Sequence, residues 1–302
     1  MGSIFNTQQI INGLGLGSIY ALIALGYTMV YGIVRLINFA HGDFYMVGAY
    51  AAYGVFYLFN AFLGGGAPTA FLVLILAMAA GGAIATLANQ IAYKPLRYKP
   101  KLSSLVTALG VSMFLEYFFS ALPVIGASPR GFPDLLPKVI YKLGSAEISN
   151  YVIIDIAVAA VLMTGLTLLI QRTKLGRAMR AVSQDKDASK LMGIDVENII
   201  SWTFLIGGAF AGAAGLLAGM TYPRIDPYMG ILPGLKAFIA AVLGGIGNVP
   251  GAMLGAYIMG LAETFANAWN SLLGAGIAFI ILIIVLLVRP TGILGEKLAD
   301  KI

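Results

Sequence analysis

The residues of this chain that could carry catalytic or proton-transfer chemistry are few and far apart. The only histidine is His41, with Asp43 two residues later, and three other carboxyl groups, Glu116, Asp155 and Glu263, fall within long apolar stretches. One histidine and one aspartate do not make a metal-ligand set. No G-x-S-x-G elbow and no G-x-x-x-x-G-K-[ST] phosphate loop occurs. The sequence therefore predicts no enzyme, no metal site and no bound cofactor.

Carboxyl groups within apolar stretches are costly in lipid, so each needs an explanation. Glu116 lies near the middle of its stretch, where it either lines a polar path and contacts a substrate ammonium group or binds a neighbouring helix as structural glue. Glu263 is a second pathway candidate. Asp155 lies one turn into its stretch and is expected at the membrane interface. Three isolated carboxyl groups are too few to predict a proton relay.

Composition identifies the kind of molecule that must position these groups. Of the 302 residues, 59% are apolar and 11% charged, and mean hydropathy is +0.89, against roughly 45–50% apolar and 25% charged in an average soluble domain. These values exclude a soluble or disordered protein. With no cysteine, disulfides, zinc-thiolate sites and iron-sulfur clusters are also excluded. The net charge of +6 belongs to membrane flanks, so we expect no nucleic-acid partner.

Apolar segments of about 20 residues, enough to span the hydrocarbon core as helices, recur along the chain. Seven are convincing, an eighth is shorter, and a ninth, 233–247, either crosses or re-enters the membrane: 10–33, 44–63, 68–92, 104–126, 150–171, 199–221, 251–269, 274–288 and 233–247. We predict an all-α polytopic membrane protein with about eight or nine spanning helices, some broken or re-entrant. Lys236, near the start of the ninth segment, could reach the outer interface by snorkelling.

Lysine and arginine cluster in segments that can share one side of the membrane. They lie at 93–101, at 172–190 and in the C-terminal tail, the last with Arg289, Lys297 and Lys301. By the positive-inside rule these segments face the cytoplasm. The N-terminus is then periplasmic and the C-terminus cytoplasmic, which requires an odd number of crossings.

Two short stretches, 35–43 and 244–251, combine glycine or proline with polar side chains. Backbone leaves helical geometry at membrane depth only where protein or a water-filled cavity satisfies its polar groups, and broken helices line substrate paths in transporters. Asn38, His41 and Asn248, together with Asp43, are therefore pathway candidates. The alternative is a pair of turns at the cytoplasmic interface, which the sequence favours slightly for Arg35 and His41.

The basic loop 172–198 is more structured than a connector. Leu175, Met179 and Val182 recur at helical spacing, Asp185 can cap a second short helix, and Gly193 can end it. This pattern leaves three apolar residues unexplained, and we expect them to pack against another surface: Leu191, Met192 and Ile194. A partner's groove would accept them, and lipid headgroups are the alternative.

The chain resembles the LivH-type permeases, the membrane subunits of bacterial ABC importers for branched-chain amino acids. The resemblance covers nearly the whole chain and is carried by these runs: GYTMVYGIVRLINFAHGDFYMVGAY (26–50), YKPLR (93–97), GRAMRAVSQDKDASKLMGI (176–194), AVLGGIGNVPGAMLGAY (241–257) and RPTGILG (289–295). It implies that residues 1–302 form one transmembrane permease domain in the bacterial inner membrane. Permeases for urea or short amides are similar, so a urea or short-amide importer is the alternative.

The resemblance also implies partners. In that family the permease pairs with a homologous second permease, two cytoplasmic ATPases bind ATP and magnesium, and a periplasmic protein delivers the substrate. Carried over, the segment that couples to the ATPases includes Gly176, Arg177, Met179, Arg180, Asp185, Leu191, Met192 and Gly193. The position of Gly193 resembles the glycine of the EAA-type loop, although the acidic residue that opens that motif is not evident.

Aromatic residues near the polar stretches could enclose an apolar substrate: Phe39, Tyr45, Phe114 and Tyr117. Another class of function also fits the composition. An ion-coupled secondary transporter would depend on Glu116, Asp155 and Glu263 and would need no ATPase partner.

Overall fold

The computed structural model describes residues 7–64, 66–97, 99–123, 125–144 and 146–295, so Lys297 and Lys301 lie outside it. Within these residues the chain forms eleven α-helices and four short strands. The helices are α1 Thr7–Val34, α2 His41–Leu63, α3 Ala67–Ala88, α4 Lys101–Ala121, α5 Asn150–Arg172, α6 Lys174–Gln184, α7 Lys186–Leu191, α8 Val196–Thr221, α9 Ile231–Gly244, α10 Val249–Trp269 and α11 Ser271–Val288. The strands are β1 Arg130–Gly131, β2 Ile140–Leu143, β3 Ala146–Ser149 and β4 Arg224–Ile225.

The described chain is an all-α membrane bundle, which confirms the predicted class. Seven helices are long and apolar enough to cross a membrane: α1, α3, α4, α5, α8, α10 and α11. α2 has 23 residues but begins with the polar His41 and Asp43. α9 has 14 residues, a length of about 21 Å, which is short of the roughly 30 Å hydrocarbon core. The predicted ninth segment is therefore a short helix inside the bundle.

The bundle has two distinct ends. At the hairpin end, β2 pairs with β3, and Gln8 at the start of α1 exchanges two hydrogen bonds with the backbone of Glu147. β1 pairs with β4 at the same end. At the opposite end lies a compact pair of short helices, α6 and α7, which together with their flanking residues 173–194 we call the elbow. α1, α3, α5, α9 and α11 run from the hairpin end toward the elbow end, and the other bundle helices run back.

The same packing pattern occurs twice, in opposite directions. α1 lies against α8, α2 touches α9, and the largest interfaces join α1 to α10 and α3 to α8. Glycines permit both large interfaces, because a side chain at Gly17 or Gly260 would strike α10 or α1, and one at Gly81 or Gly212 would strike α8 or α3. The trios α1–α3 and α8–α10 are thus related as inverted repeats, an arrangement common in transporters.

The residues after α1 turn back into the bundle before α2 begins. α1 ends at Val34, and the next residue, Arg35, has a left-handed φ of 58°. At the start of α2, the His41 ring lies directly against Gly26, eight residues or about 12 Å before the end of α1. α2 therefore starts inside the bundle, as the predicted broken helix requires.

The C-terminal segment closes the end of α9. The amides of Ile293 and Leu294 donate to the carbonyls of Leu243 and Gly244 at 2.8 and 3.0 Å. These carbonyls, at the end of a helix, would otherwise lack partners. Gly245 has a φ of 109° at this turn and sits so close to Gly295 that a side chain would not fit. The two glycine-containing runs at 241–257 and 289–295 therefore pack together as one structural unit.

Candidate functional site

The first turns of α2 and α9 meet inside the bundle. A methyl group at Gly42 would collide with the carbonyl oxygen of Gly230, and one at Gly230 would collide with that of Gly42. Gly234 also lies against Gly42, and the Tyr27 hydroxyl is close to both helices. We call this contact the junction. It brings two helix N-termini, with their positive dipole ends, to one place in the bundle.

Three predicted pathway residues surround the junction, and each leaves a buried polar atom without a hydrogen-bond partner among the described residues. These atoms are Nδ2 of Asn38, Nε2 of His41 and Oδ2 of Asp43. Each residue is at most 2% exposed. The Tyr93 hydroxyl donates to Oδ1 of Asn38 at 2.6 Å. Because buried polar groups are nearly always paired, this cluster is typical of a place that admits water or a ligand.

His41 is not at the interface, which was the alternative reading of its stretch. Its ring packs edge-on to Tyr27 at a centroid distance of 4.7 Å and lies near Phe44 at 5.7 Å. Arg35, six residues earlier, is exposed. The stretch 35–43 therefore runs from the surface at Arg35 to the bundle interior at His41.

Glu263 is held in a buried ion pair that the sequence reading missed. Lys236 Nζ on α9 lies 2.6 Å from Glu263 Oε1 on α10, and the Tyr20 hydroxyl on α1 donates to Glu263 Oε2 at 2.8 Å. Lys236 is 8% exposed, so it does not snorkel to the interface as expected. The available signal was one cation and one carboxyl in neighbouring apolar segments, which lipid requires to pair.

The carboxyl group of Glu116, on α4, lies near that of Asp43, on α2. Both carboxyl groups interact with the Ser112 hydroxyl, and Glu116 is 8% exposed. By contrast, Phe114 and Tyr117 on the same helix are 62% and 59% exposed. The Tyr117 ring packs edge-on against Tyr228, at a centroid distance of 6.4 Å, so neither residue is buried around an internal path in this chain.

Asp155 is fully buried, at 1% exposure, where the sequence reading expected an interfacial residue. Its Oδ2 accepts a hydrogen bond from Thr221 Oγ1 at 2.6 Å, and its Oδ1 has no partner among the described residues.

Asn248 lies apart from the junction, at the elbow end. Its Oδ1 accepts from the Gly251 amide at 3.0 Å and caps α10, and its Nδ2 donates to the Leu294 carbonyl at 2.8 Å. The oxygen and the nitrogen of the Asn248 side-chain amide therefore both stabilise the turn between α9 and α10.

The elbow is built by three local features. Thr173 caps α6, where Gly176 packs so tightly on the last carbonyls of α5 that no side chain fits. Asp185 Oδ1 accepts from the amides of Asp187 and Ala188 and caps α7. Gly193 ends α7 with a φ of 80°. The predicted helix, turn and helix are all present.

The two faces of the elbow differ. Met179 and Val182 are buried at 2% and 1% exposure, whereas Leu191 and Met192 are 89% and 82% exposed. Arg177 and Arg180 are also exposed, and the Arg180 guanidinium contacts the Ile170 carbonyl. The elbow thus buries one apolar face and exposes two adjacent large apolar side chains on the other.

The elbow is fixed to the long helices by polar contacts. Lys186 Nζ donates to the Val34 carbonyl at the end of α1, at 3.2 Å. Burial, with nearby Arg97 and Arg35, lowers the pKa of Lys186. Glu197 of α8 compensates these positive charges: its carboxylate lies 2.5 Å from the Arg97 guanidinium, which also donates to Asn89 Oδ1 at 2.8 Å.

In the described part of the chain, no group of three or more His, Asp or Glu side chains could hold a metal ion.

Three features described above are typical of a multi-pass membrane transport protein. They are helices that begin inside a membrane bundle, unpaired polar atoms around the point where those helices meet, and an exposed apolar elbow.

The chain belongs to the family described as "Branched-chain amino acid transport system / permease component", whose model matches residues 9–286. It is 43% identical to the high-affinity branched-chain amino acid transport system permease protein BraD of Pseudomonas aeruginosa, over 98% of this chain and 97% of BraD. It is 40% identical to the permease protein LivH of the corresponding Escherichia coli system, over 99% and 98%. The match to LivM of that E. coli system is 26% over 91% and 68%. No solved structure matches the chain.

Proposed function

We propose that this chain is the membrane subunit of an ATP-driven importer that carries leucine, isoleucine and valine across the bacterial inner membrane. The near full-length similarity to BraD and LivH supports this substrate class. The apolar side chains of these amino acids also match a pathway that offers only a few polar groups.

The observation that carries the ATP-driven mechanism is the exposed pair Leu191 and Met192. An elbow that buries Met179 and Val182 internally and still presents two large apolar side chains fits helix-in-groove docking on a partner. In this proposal the coupling residues Gly176, Arg177, Met179, Arg180, Asp185 and Gly193 shape the elbow, and two cytoplasmic ATPases bind it. Those subunits bind ATP and magnesium.

The remaining partners follow from the family. LivH and LivM are both permease proteins of one system in E. coli, and this chain is similar to both. We infer a homologous second permease beside it, with a periplasmic substrate-binding protein at the hairpin end. The N-terminus then faces the periplasm and the C-terminus the cytoplasm, because the elbow end carries the basic segments. Residues 1–302 act as one transmembrane domain.

Within the bundle, we assign the transport path to the junction. Asn38, His41 and Asp43 would line it, with Glu116 beside Asp43 and Glu263 nearer the hairpin end. ATP binding favours one permease conformation, and separation of the first turns of α2 and α9 opens the path. Asn248 holds the turn that lets α9 move with α10.

The test is uptake by vesicles that contain this chain with its ATPases and second permease. We expect accumulation of radiolabelled leucine that requires internal ATP and external binding protein, and none with urea or acetamide as the solute. Accumulation by the chain alone under an ion gradient would establish a secondary transporter instead. Failure of the detergent-extracted, tagged chain to retain an ATPase subunit would also contradict the proposal.

A further inference from the structure

Two adjoining cavities open on the hairpin side of the junction, the outer one between α1, α5, α8 and α10 and the inner one between α1, α2, α8 and α9. The outer one, the vestibule, has a volume of about 400 Å³, and its wall combines apolar surface with the polar side chains of Gln9, Asn12, Thr221, Tyr222, Thr264 and Asn267. The inner one, the chamber, has a volume of about 240 Å³ and offers Leu16, Ile19, Ala218, Met229 and Pro233 as apolar wall. Leu16 and Tyr222 border both cavities and therefore lie where the vestibule meets the chamber.

Asp155 stands behind the wall of the vestibule. Its Oδ2 is bonded to the lining residue Thr221, and the neighbouring Val152 also lines the vestibule. Its Oδ1 is buried and unpaired. A buried carboxyl oxygen without a partner costs free energy, and an ammonium group, with three donors and a positive charge, is the ligand that removes this cost.

Arg224 supplies the opposite charge. It borders the chamber next to Tyr222, and its guanidinium makes no hydrogen bond or ion pair with the described residues. A guanidinium binds a carboxylate in a planar, two-pronged geometry. Among the other charges nearby, Lys236 and Glu263 neutralise each other, and the Asp226 carboxylate accepts a hydrogen bond from the backbone amide two residues later at 3.0 Å.

We propose that the vestibule and the chamber form one binding site, within this single chain, for an amino acid in transit. Asp155, behind Thr221 in the vestibule wall, attracts the α-ammonium group, Arg224 binds the α-carboxylate, and the apolar side chain enters the chamber past Tyr222. This inference rests on the proposed function for the class of substrate. It adds where the ligand binds and which residues select its charged groups.

The absence of cysteine from the sequence makes a direct test possible, because any single introduced thiol is the only one in the chain. Val152→Cys reports on the vestibule and Ala218→Cys on the chamber. Val161→Cys is the matched control on α5, since Val161 points outward at 70% exposure. Each variant is assembled with its partner subunits in vesicles and treated with impermeant methanethiosulfonates of positive or negative charge.

We expect both cavity thiols to react and the control thiol to remain unmodified, because a thiol in hydrocarbon does not ionise. L-Leucine should slow modification several-fold, whereas 4-methylpentanoate and isoamylamine, which each lack one charged group, should not. In Val152→Cys at alkaline pH, where the buried Asp155 carboxyl group is ionised, adding Asp155→Asn should lower the ratio of cationic to anionic reaction rates about five- to tenfold, the size expected for one nearby unit charge. Arg224→Gln should raise that ratio, and Thr221→Val, which keeps both charges, should leave it nearly unchanged.

Unreactive cavity thiols, a rate ratio indifferent to Asp155→Asn, or no protection by leucine would each overturn this site. A separate experiment tests the proposed function: it measures ATP-driven leucine uptake by vesicles that contain the unaltered chain. Uptake without protection rejects the site alone, whereas absence of uptake rejects the proposed function.

Discussion

Lys236 and Glu263 form an ion pair of 2.6 Å that is almost completely shielded from solvent and joins α9 to α10. Tyr20 adds a hydrogen bond from α1, so three helices meet at one charged group. Since α9 is too short to be held by a full-length interface, this pair fixes its depth in the bundle.

Breaking the pair from one side should strongly destabilise the protein. Lys236→Met leaves a buried, uncompensated carboxylate, and we expect a loss of about 3–5 kcal/mol. Thermal unfolding of the purified protein in detergent measures it. The double variant Lys236→Met with Glu263→Gln should recover most of the loss.

Lys142→Met is the matched control, because its ion pair with Glu147 is solvent-exposed at 3.8 Å and such pairs contribute about 0–1 kcal/mol. Equal melting temperatures for Lys236→Met and Lys142→Met would contradict the role assigned to the buried pair.

The junction predicts opposite effects of two glycine substitutions in α2. Gly42→Ala places a methyl group against the Gly230 carbonyl, so we expect it to lower stability by about 1–3 kcal/mol and to reduce leucine uptake. Gly54→Ala meets no neighbouring atom within 4 Å and should be neutral or stabilise by up to about 1 kcal/mol. Paired melting and uptake measurements test both, and tolerance of Gly42→Ala would argue against the contact.

The elbow predicts loss of coupling without loss of fold. Leu191→Glu or Met192→Glu changes only an exposed side chain, so the melting temperature should stay within about 1 °C to 2 °C. Leucine uptake per ATP hydrolysed should fall sharply, because a carboxylate in an apolar groove is costly to bury and weakens docking. Leu191→Met keeps an apolar contact and should retain coupling. Normal coupling in the glutamate variants would exclude this surface as the docking site.

Two substitutions distinguish a structural role of Asn248 from direct contact with the substrate. Asn248→Ala removes the cap of α10 and the bond to Leu294, and we expect a loss of about 1–2 kcal/mol. Asn248→Ser keeps a capping oxygen and should lose less. If Asn248 acts only through this turn, uptake normalised to folded protein is unchanged in both variants; a large drop in Asn248→Ser would indicate direct contact with the substrate.

The sequence predicted the membrane class, most helices and the elbow because these depend on local patterns. Apolar runs of spanning length, the cap at Asp185 and the left-handed glycine at position 193 are all readable within a few residues. The polar stretch around Asn38 and His41 was also recognisable, since polar groups at membrane depth are rare.

The sequence did not predict contacts between distant segments. The pairing of Lys236 with Glu263 and the burial of Asp155 against Thr221 depend on how α5, α8, α9 and α10 pack. The same is true of Asn248, whose partner Leu294 lies in a different segment. The direction in which Phe114 and Tyr117 point follows from the loose packing of α4, which hydropathy does not reveal.

α1 is a single unbroken helix of 28 residues, about 42 Å long. Lys186 grips its last carbonyl, and Leu16 and Tyr20 on the same helix border the two cavities. We therefore expect this helix to transmit motion as one rigid rod, so that a displacement of α7 tilts the wall of a compartment more than 20 Å away without a relay of intermediate side-chain movements.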